Sequence, residues 1–297
     1  MKLLIETPTW LGDAVMATGA IEELINYYKP DKLFIFGSKL STELFKDRYE
    51  VIVDSRRNRL RQFLKLPKVD VAISFRGHLY SKILVKVVGK KGYIFKGSVG
   101  HQVKQYSDYI NRIIHQQRIY LPKLHFKPKE FSRPTLGINP GATYGSAKRW
   151  YPAEFAKVAN ELAKEYDIII FGGPGEEDIA KDIEKDLKRG VNYKNLCGKL
   201  SIKELCEHIG GLELFITNDS GPMHIASAYN IPLVALFGPT NYKETSPYSK
   251  RYKIVSKDLD CAPCKKRVCP LSGKDYHRCM KDIKADDVLR AVEELKR

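Results

Sequence analysis

Short apolar runs alternate along this chain with stretches in which apolar residues recur every three or four positions. Lys2–Glu6, Leu33–Phe36, Val51–Val53 and Val69–Ser74 are runs of the first kind. Short apolar runs of that length fit strands buried on both faces of a parallel sheet. Between the first two, Ala17, Ala20, Ile21, Leu24, Ile25 and Tyr28 trace one face of a helix. The pattern lapses near Pro122–Pro134, where Pro122, Pro128 and Pro134 stand among charged residues, a composition that reads as an interdomain linker. A second series follows. Thr135–Asn139, Asp167–Phe171, Leu214–Thr217 and Leu233–Phe237 are predicted strands, and Pro152–Tyr166, Glu176–Arg189, Ser201–Ile209 and Pro222–Tyr229 predicted helices. Strict alternation over short connections argues for an α/β fold with parallel sheets. The expectation is two Rossmann-like domains, residues 1–130 and 131–297, facing a central cleft.

The length, 297 residues, suits two domains of about 100–200 residues each. With 43% apolar and 29% charged residues, the composition is that of a globular protein in water. No segment approaches ~18 consecutive apolar residues, so no membrane span is predicted. The first residues, Met1-Lys2-Leu3-Leu4-Ile5-Glu6, are charged too early for a signal peptide and read as a first strand. A cytoplasmic protein is expected.

Charge changes this picture. The chain carries 51 Lys+Arg against 35 Asp+Glu, a net charge of +16. Residues 1–130 hold 24 basic and 12 acidic side chains, hence +12; the remainder holds 27 and 23, hence +4. A field so one-sided attracts polyanions or an anionic membrane surface to the N-terminal half. It includes Arg56-Arg57-Asn58-Arg59-Leu60-Arg61, and Lys82, Lys86 and Lys90 at four-residue spacing. Read as one helix, that last segment turns Ile83, Val87 and Val88 inward and lines the lysines along one exposed stripe. A solvated basic face with no dedicated partner is the plainer reading of any single cluster.

Parallel sheets bind ligands beyond the carboxyl ends of their strands, and four loops there carry suggestive chemistry. The most informative is Thr217-Asn218-Asp219-Ser220-Gly221-Pro222-Met223-His224, a strand-to-helix junction of small and polar residues. Backbone N–H groups converge at such a junction and suit a phosphate or pyrophosphate, with Pro222 expected at the first helical position. Asp219 and His224 exceed what capping requires, although an ordinary Ser or Asp N-cap is the bland alternative. Pro140-Gly141-Ala142-Thr143-Tyr144-Gly145-Ser146-Ala147-Lys148-Arg149-Trp150 lacks P-loop spacing but offers backbone amides, Thr143 and the charge of Lys148 to a diphosphate, unless Lys148 and Arg149 merely face solvent. Gly172-Gly173-Pro174-Gly175-Glu176-Glu177 places acids after a strand, where they hold ribose hydroxyls or complement a helix dipole. Thr7–Asp13 follows the first strand without the G-x-G-x-x-G of a dinucleotide site, and a helix cap is the commoner fate of a residue such as Asp13.

These loops together resemble the lipopolysaccharide heptosyltransferases, glycosyltransferase family 9. The marks are Trp10-Leu11-Gly12-Asp13-Ala14-Val15-Met16-Ala17-Thr18, Pro140–Trp150, Asn218–Ala226 and Phe237-Gly238-Pro239-Thr240, and the resemblance spans nearly the whole chain. The tail Cys261-x2-Cys264-x4-Cys269-Pro270…Cys279 is similar to the heptosyltransferase II branch. The resemblance implies a GT-B architecture, acceptor on the N-terminal domain and nucleotide-sugar on the C-terminal one, with heptose passing from ADP-heptose to the lipopolysaccharide inner core with inversion. It implies Asp13 as the base and Lys148 as the cation offsetting charge on departing ADP. Thr143 and the amides of Ser220 and Gly221 would hold phosphates, with His224 nearby; Asp219 would bond sugar hydroxyls, Glu176 ribose (Glu177 matches equally well), and Leu200 would pack on adenine. Catalysis would need no cofactor. The acceptor, lipid A bearing Kdo and phosphate, is a membrane-embedded polyanion, which gives Arg57, Arg59, Arg76, Lys86 and Lys90 an acceptor- or membrane-binding role on the inner-membrane face.

The cysteines leave three readings open. Cys261, Cys264, Cys269 and Cys279 could form a structural zinc site with His277 as substitute ligand, a disulfide set, or free thiols; Cys197 and Cys206 read as reduced core residues. Two functional alternatives also stand. One is a GT-B enzyme using a different nucleotide-sugar. The other is a basic nucleic-acid-binding protein, disfavoured because no basic–aromatic module is evident.

Overall fold

The computed structural model describes residues 1–55, 57 and 59–296, with Arg59 and Leu60 described in their backbone alone. It divides into two compact units, Met1–Leu124 and His125–Arg297. The division falls N-terminal of residue 130 for a physical reason. Phe126 O accepts from Tyr229 Oη at 2.9 Å and Lys129 N donates to Glu207 O at 2.8 Å, so this proline-bearing stretch is fastened to the second unit. Lys123 N still donates to Thr18 Oγ1 at 2.8 Å in the first.

The first unit runs β1 (Lys2–Glu6), α1 (Leu11–Tyr28), β2 (Lys32–Gly37), α2 (Lys39–Thr42), β3 (Glu50–Val53), α3 (Arg59–Lys65), β4 (Val69–Ser74), α4 (Leu79–Val88), β5 (Gly89–Ile94) and α5 (Gln102–Ile114). Its strands form a parallel five-stranded sheet in the order β3-β2-β1-β4-β5. Central β1 buries Leu3, Leu4 and Ile5 completely, as a strand covered on both faces requires. Edge strand β5, Gly-Lys-Lys-Gly-Tyr-Ile, has no apolar run; charged residues on an edge discourage pairing with other chains.

That edge strand corrects one expectation. Helix α4 ends at Val88 and the backbone becomes extended at Gly89, where a Cβ would come within 2.8 Å of Ala72 Cβ. Lys90 therefore lies in β5, paired with Asp70 at 2.8 Å, and the single stripe of Lys82, Lys86 and Lys90 does not form. Helix α4 buries Ser81, Leu84, Val85 and Val88. Ile83 and Val87 are turned outward beside Lys82 and Lys86.

The second unit contains β6 (Thr135–Asn139), α6 (Pro152–Leu162), β7 (Asp167–Ile170), α7 (Glu177–Lys185), β8 (Tyr193–Asn195), α8 (Ile202–Gly210), β9 (Leu214–Asn218), α9 (Gly221–Ala228), β10 (Leu233–Leu236), α10 (Tyr242–Thr245), β11 (Tyr252–Val255), α11 (Arg278–Lys281) and α12 (Ala285–Lys296). Its parallel six-stranded sheet has the order β11-β10-β9-β6-β7-β8. The chain leaves β6 towards β7 and β8, then returns to β9 on the other side. The topological switch point, where ligands gather in open α/β sheets, is thus between β6 and β9. Among the described residues no helix is long and apolar enough to cross a membrane.

Candidate active site

Two asparagines end the strands at the switch point and stitch their loops together. Asn139 Nδ2 donates to Ser220 Oγ at 3.1 Å and to Gly141 O at 3.3 Å. Asn218 Nδ2 donates to Pro140 O at 2.6 Å, and its Oδ1 accepts from Trp150 N at 3.2 Å. The loop 140–150 is thereby held at both ends by β9. Trp150, fully buried, anchors it further through Nε1 to Ile283 O at 3.0 Å. Asn218 lies inside a motif and Asn139 ends a predicted strand, but their role is visible only once β6 and β9 are known to be neighbours.

Helix α9 begins at Gly221, so Pro222 is its second residue and Ser220 its N-cap. Ser220 does not cap with its side chain; its hydroxyl meets Asn139 and, at 3.3 Å, Thr217 Oγ1. The amides of the first turn are thus left to a ligand or solvent rather than to a serine cap. Asp219 sits at the mouth of this turn, buried, and its Oδ2 accepts from both Lys148 Nζ and Thr240 Oγ1 at 2.6 Å. His224 is buried one turn into α9. Thr143 is exposed on the neighbouring loop.

On the other side of β6, the buried Glu176 is the N-cap residue of α7, and its Oε2 accepts from Gly173 N at 2.8 Å. Its Oε1 is buried without a hydrogen bond and stands 3.6 Å from Arg149 Nη2. Gly141 leaves room for it: a Cβ there would lie 1.9 Å from Glu176 Oε2 and would displace the carboxylate. Glu177 instead accepts from Gly175 N at 2.8 Å within its own turn, so Glu176 is the acid turned towards the switch point. Arg149, part of a quoted motif but given no role by sequence, joins the site here. Leu200 lies part-buried just before α8.

All six cysteines are free thiols, and among the described residues no group of three or more His, Cys, Asp and Glu side chains is disposed to hold a metal ion. Cys261 is exposed, whereas Cys279 is buried, and burial, helped by the nearby Cys261, Cys264 and Cys269, pushes the Cys279 thiol up to about 11. His277 is committed: Nε2 donates to Ala147 O at 2.9 Å and Nδ1 accepts from Tyr151 Oη at 3.2 Å. Cys197 and Cys206 are buried, and desolvation raises both thiols, Cys197 to about 11.

In the first unit, Asp13 occupies the first turn of α1, with Trp10 as N-cap residue, so it is not the cap. It lies close enough to the buried Tyr106 that its charge, after burial itself, raises that phenol. The loop before it is tightly fixed: Thr7 Oγ1 meets Ser41 Oγ at 2.8 Å, and Ser38 Oγ donates to Thr9 O at 2.7 Å.

Arg76 is not the surface cation the sequence suggests. Only 7% exposed, it donates from Nε to Thr7 O at 2.7 Å and pairs with Glu6 at 3.3 Å and Asp54 at 3.2 Å. Burial raises the Glu6 carboxyl, with Arg76 and a hydrogen bond from Ser74 opposing it. Arg76 therefore positions the β1–α1 loop. Of the other basic candidates, Arg57 and Lys86 are exposed and Lys90 is paired with Asp70. Arg56 and the Arg59 side chain lie outside the described residues.

A family model described as glycosyltransferase family 9 (heptosyltransferase) matches residues 95–275. The lipooligosaccharide heptosyltransferase 2 of Campylobacter jejuni (serotype O:6, strain 81116) is 40% identical over 316 residues, covering 99% of this chain and 99% of that protein. The chain belongs to glycosyltransferase family 9. The fold agrees with this membership. The structure of Escherichia coli ADP-heptose LPS heptosyltransferase II superposes with a TM-score of 0.82 at 22% identity, covering 99% of this chain and 98% of that one. E. coli heptosyltransferase WaaC with ADP superposes at 0.77 and 16% identity, covering 99% and 100%. The family 9 chain is thus a glycosyltransferase with the GT-B fold, its two parallel sheets corresponding to the two Rossmann-like halves.

Proposed function

We propose that this enzyme transfers heptose from ADP-heptose to the inner core of lipopolysaccharide or lipooligosaccharide, with inversion at the anomeric carbon. What carries this reading is the 40% identity, end to end, to a lipooligosaccharide heptosyltransferase 2; such extent includes both units rather than the donor motifs alone. The geometry of the second unit supports the donor half. Uncapped amides at the start of α9, Thr143 and Lys148 offer positive potential to a diphosphate, Glu176 offers an unsatisfied carboxylate oxygen to ribose, and Leu200 an apolar surface to adenine. Asp219 bonds sugar hydroxyls, and His224 lies by the phosphates. In the reaction Asp13 takes the acceptor hydroxyl proton as the acceptor oxygen bonds to the anomeric carbon. The bond from that carbon to the β-phosphate breaks, and Lys148 offsets the charge that accumulates on ADP. Calorimetry should show ADP binding well ahead of UDP, and ADP-heptose with Kdo–lipid A acceptors should give a product heavier by one heptose. Transfer from a UDP-sugar instead, with no ADP affinity, would overturn the assignment.

We further propose that the first unit works against the anionic cytoplasmic face of the inner membrane. Beyond its net charge, the support is the outer face of α4. Leu79, Ile83 and Val87, one helical turn apart, are 73%, 44% and 37% exposed, and the exposed Lys82 and Lys86 lie alongside them. An apolar row bordered by lysines is the pattern of a helix lying in a lipid interface. Binding to vesicles containing anionic lipid is expected to weaken with salt, with Lys82→Glu plus Lys86→Glu, and with Leu79→Ser plus Ile83→Ser. Vesicle binding indifferent to all three would leave the face a solvated one.

A further inference from the structure

The segment from Cys261 to Cys279 is stitched to the loop that carries Lys148. Arg267 O accepts from Ala147 N at 3.0 Å, Lys265 O accepts from Tyr144 Oη at 2.9 Å, and His277 Nε2 donates to Ala147 O at 2.9 Å. Gly145 passes so near that a Cβ there would lie 2.2 Å from Arg267 O. Lys265 N also donates to Pro239 O at 2.7 Å, tying the segment to the loop after β10 that supplies Thr240. Arg267 is therefore held at the backbone by the donor loops themselves.

Its side chain follows the same course. The Arg267 guanidinium stands 5.1 Å from the centroid of the Tyr144 ring, and Lys148 Nζ stands 4.7 Å from that centroid. One aromatic ring thus carries two cations, whose mutual repulsion is eased by anions close by; Asp219 already serves Lys148 in this way.

Charge accounting indicates which cation is available. Lys148 is matched by Asp219 at 2.6 Å, and Arg149 by Glu176 at 3.6 Å. These four side chains are neutral as a set, while a nucleotide diphosphate brings several negative charges. The partial charge of one helix terminus, roughly +0.5, falls short of that. Arg267 makes no ion pair with an acidic side chain among the described residues, and its planar fork suits phosphate oxygens.

We propose that Arg267 is a donor-binding residue, brought to the diphosphate of the nucleotide-sugar on the Tyr144 platform by the cysteine-bearing segment. There it shares with Lys148 the charge of the departing nucleoside diphosphate. The inference rests on the donor reading above and adds to it a residue from a region that the donor motifs do not include.

The test is calorimetry with ADP at several salt concentrations. Arg267→Ala should weaken ADP binding by about tenfold or more and flatten its salt dependence; Arg267→Lys should recover part of both. Arg267 is exposed, so these variants should fold. Unchanged ADP affinity in Arg267→Ala would overturn the proposal. So would a loss that leaves the salt dependence intact and is not recovered by Lys, since that pattern reports a backbone role only. Failure of the wild-type chain to bind ADP would overturn the donor reading itself, and this inference with it.

Discussion

Asp13→Asn is expected to lower turnover by about 100-fold or more while ADP-heptose still binds. Asparagine keeps the shape of the side chain and removes its ability to accept a proton. The fold should tolerate the change. The N-cap of α1 is Trp10, which uses no side-chain hydrogen bond, and the buried face of the helix begins at Ala14. The loop leading to Asp13 is fixed by Arg76, Ser38 and Ser41, so the substituted residue remains where the aspartate was. Steady-state turnover at saturating donor, read beside the calorimetric affinity for ADP-heptose, separates chemistry from binding. Near-normal turnover would remove Asp13 from the role of base.

Lys148→Ala is expected to act on more levels. Its ammonium lies in a mostly buried ion pair with Asp219. Deleting it leaves a buried carboxylate whose remaining side-chain hydrogen bond, among the described residues, comes from Thr240. Breaking such a pair destabilises a fold by about 3 kcal/mol, here somewhat less because the threonine hydroxyl still donates. Loss of a group that stabilises transition-state charge costs about 100- to 1,000-fold in kcat. The variant should therefore show lower turnover, weaker ADP binding and a lower Tm together. Asp219→Asn in the same background should restore part of the Tm, because no buried charge is left unmatched, yet restore no turnover. Unchanged kinetic constants in Lys148→Ala would count against any part for this lysine in catalysis.

Much of this architecture is legible in the sequence, and the exceptions have physical causes. Interior strands such as β1, β7 and β10 announce themselves by the apolar runs Leu3–Ile5, Ile168–Ile170 and Leu233–Leu236, because both of their faces are covered. The edge strands β5, β8 and β11 do not. β5 and β8, Tyr193–Asn195, are half in solvent and read as polar loops, which let a lysine spacing of four run past Gly89 as though the helix continued. The donor turn is legible because the chemistry of a strand-to-helix phosphate site is local. Pairing is not local. That Lys148 meets Asp219, that Arg149 faces Glu176, and that Arg76 sinks among Glu6, Asp54 and Thr7 all depend on which strands lie side by side. The cysteines follow the same rule: their spacing is visible in sequence, but the buried setting of Cys279 and the hydrogen bonds of His277 to Ala147 and Tyr151 are not.

The meeting of Gly145 with the carbonyl of Arg267 has a consequence for how this region can change. Both partners are main-chain atoms, so the junction is indifferent to most side chains nearby. What it fixes is chain length. Residues such as Lys266 and Val268, both exposed, are free to drift, whereas one residue gained or lost between Cys261 and Cys279 would slide the carbonyl off the Ala147 amide and withdraw support from the lysine that follows it. Substitution is the permitted currency of variation in this tail; a change of length is felt at the donor.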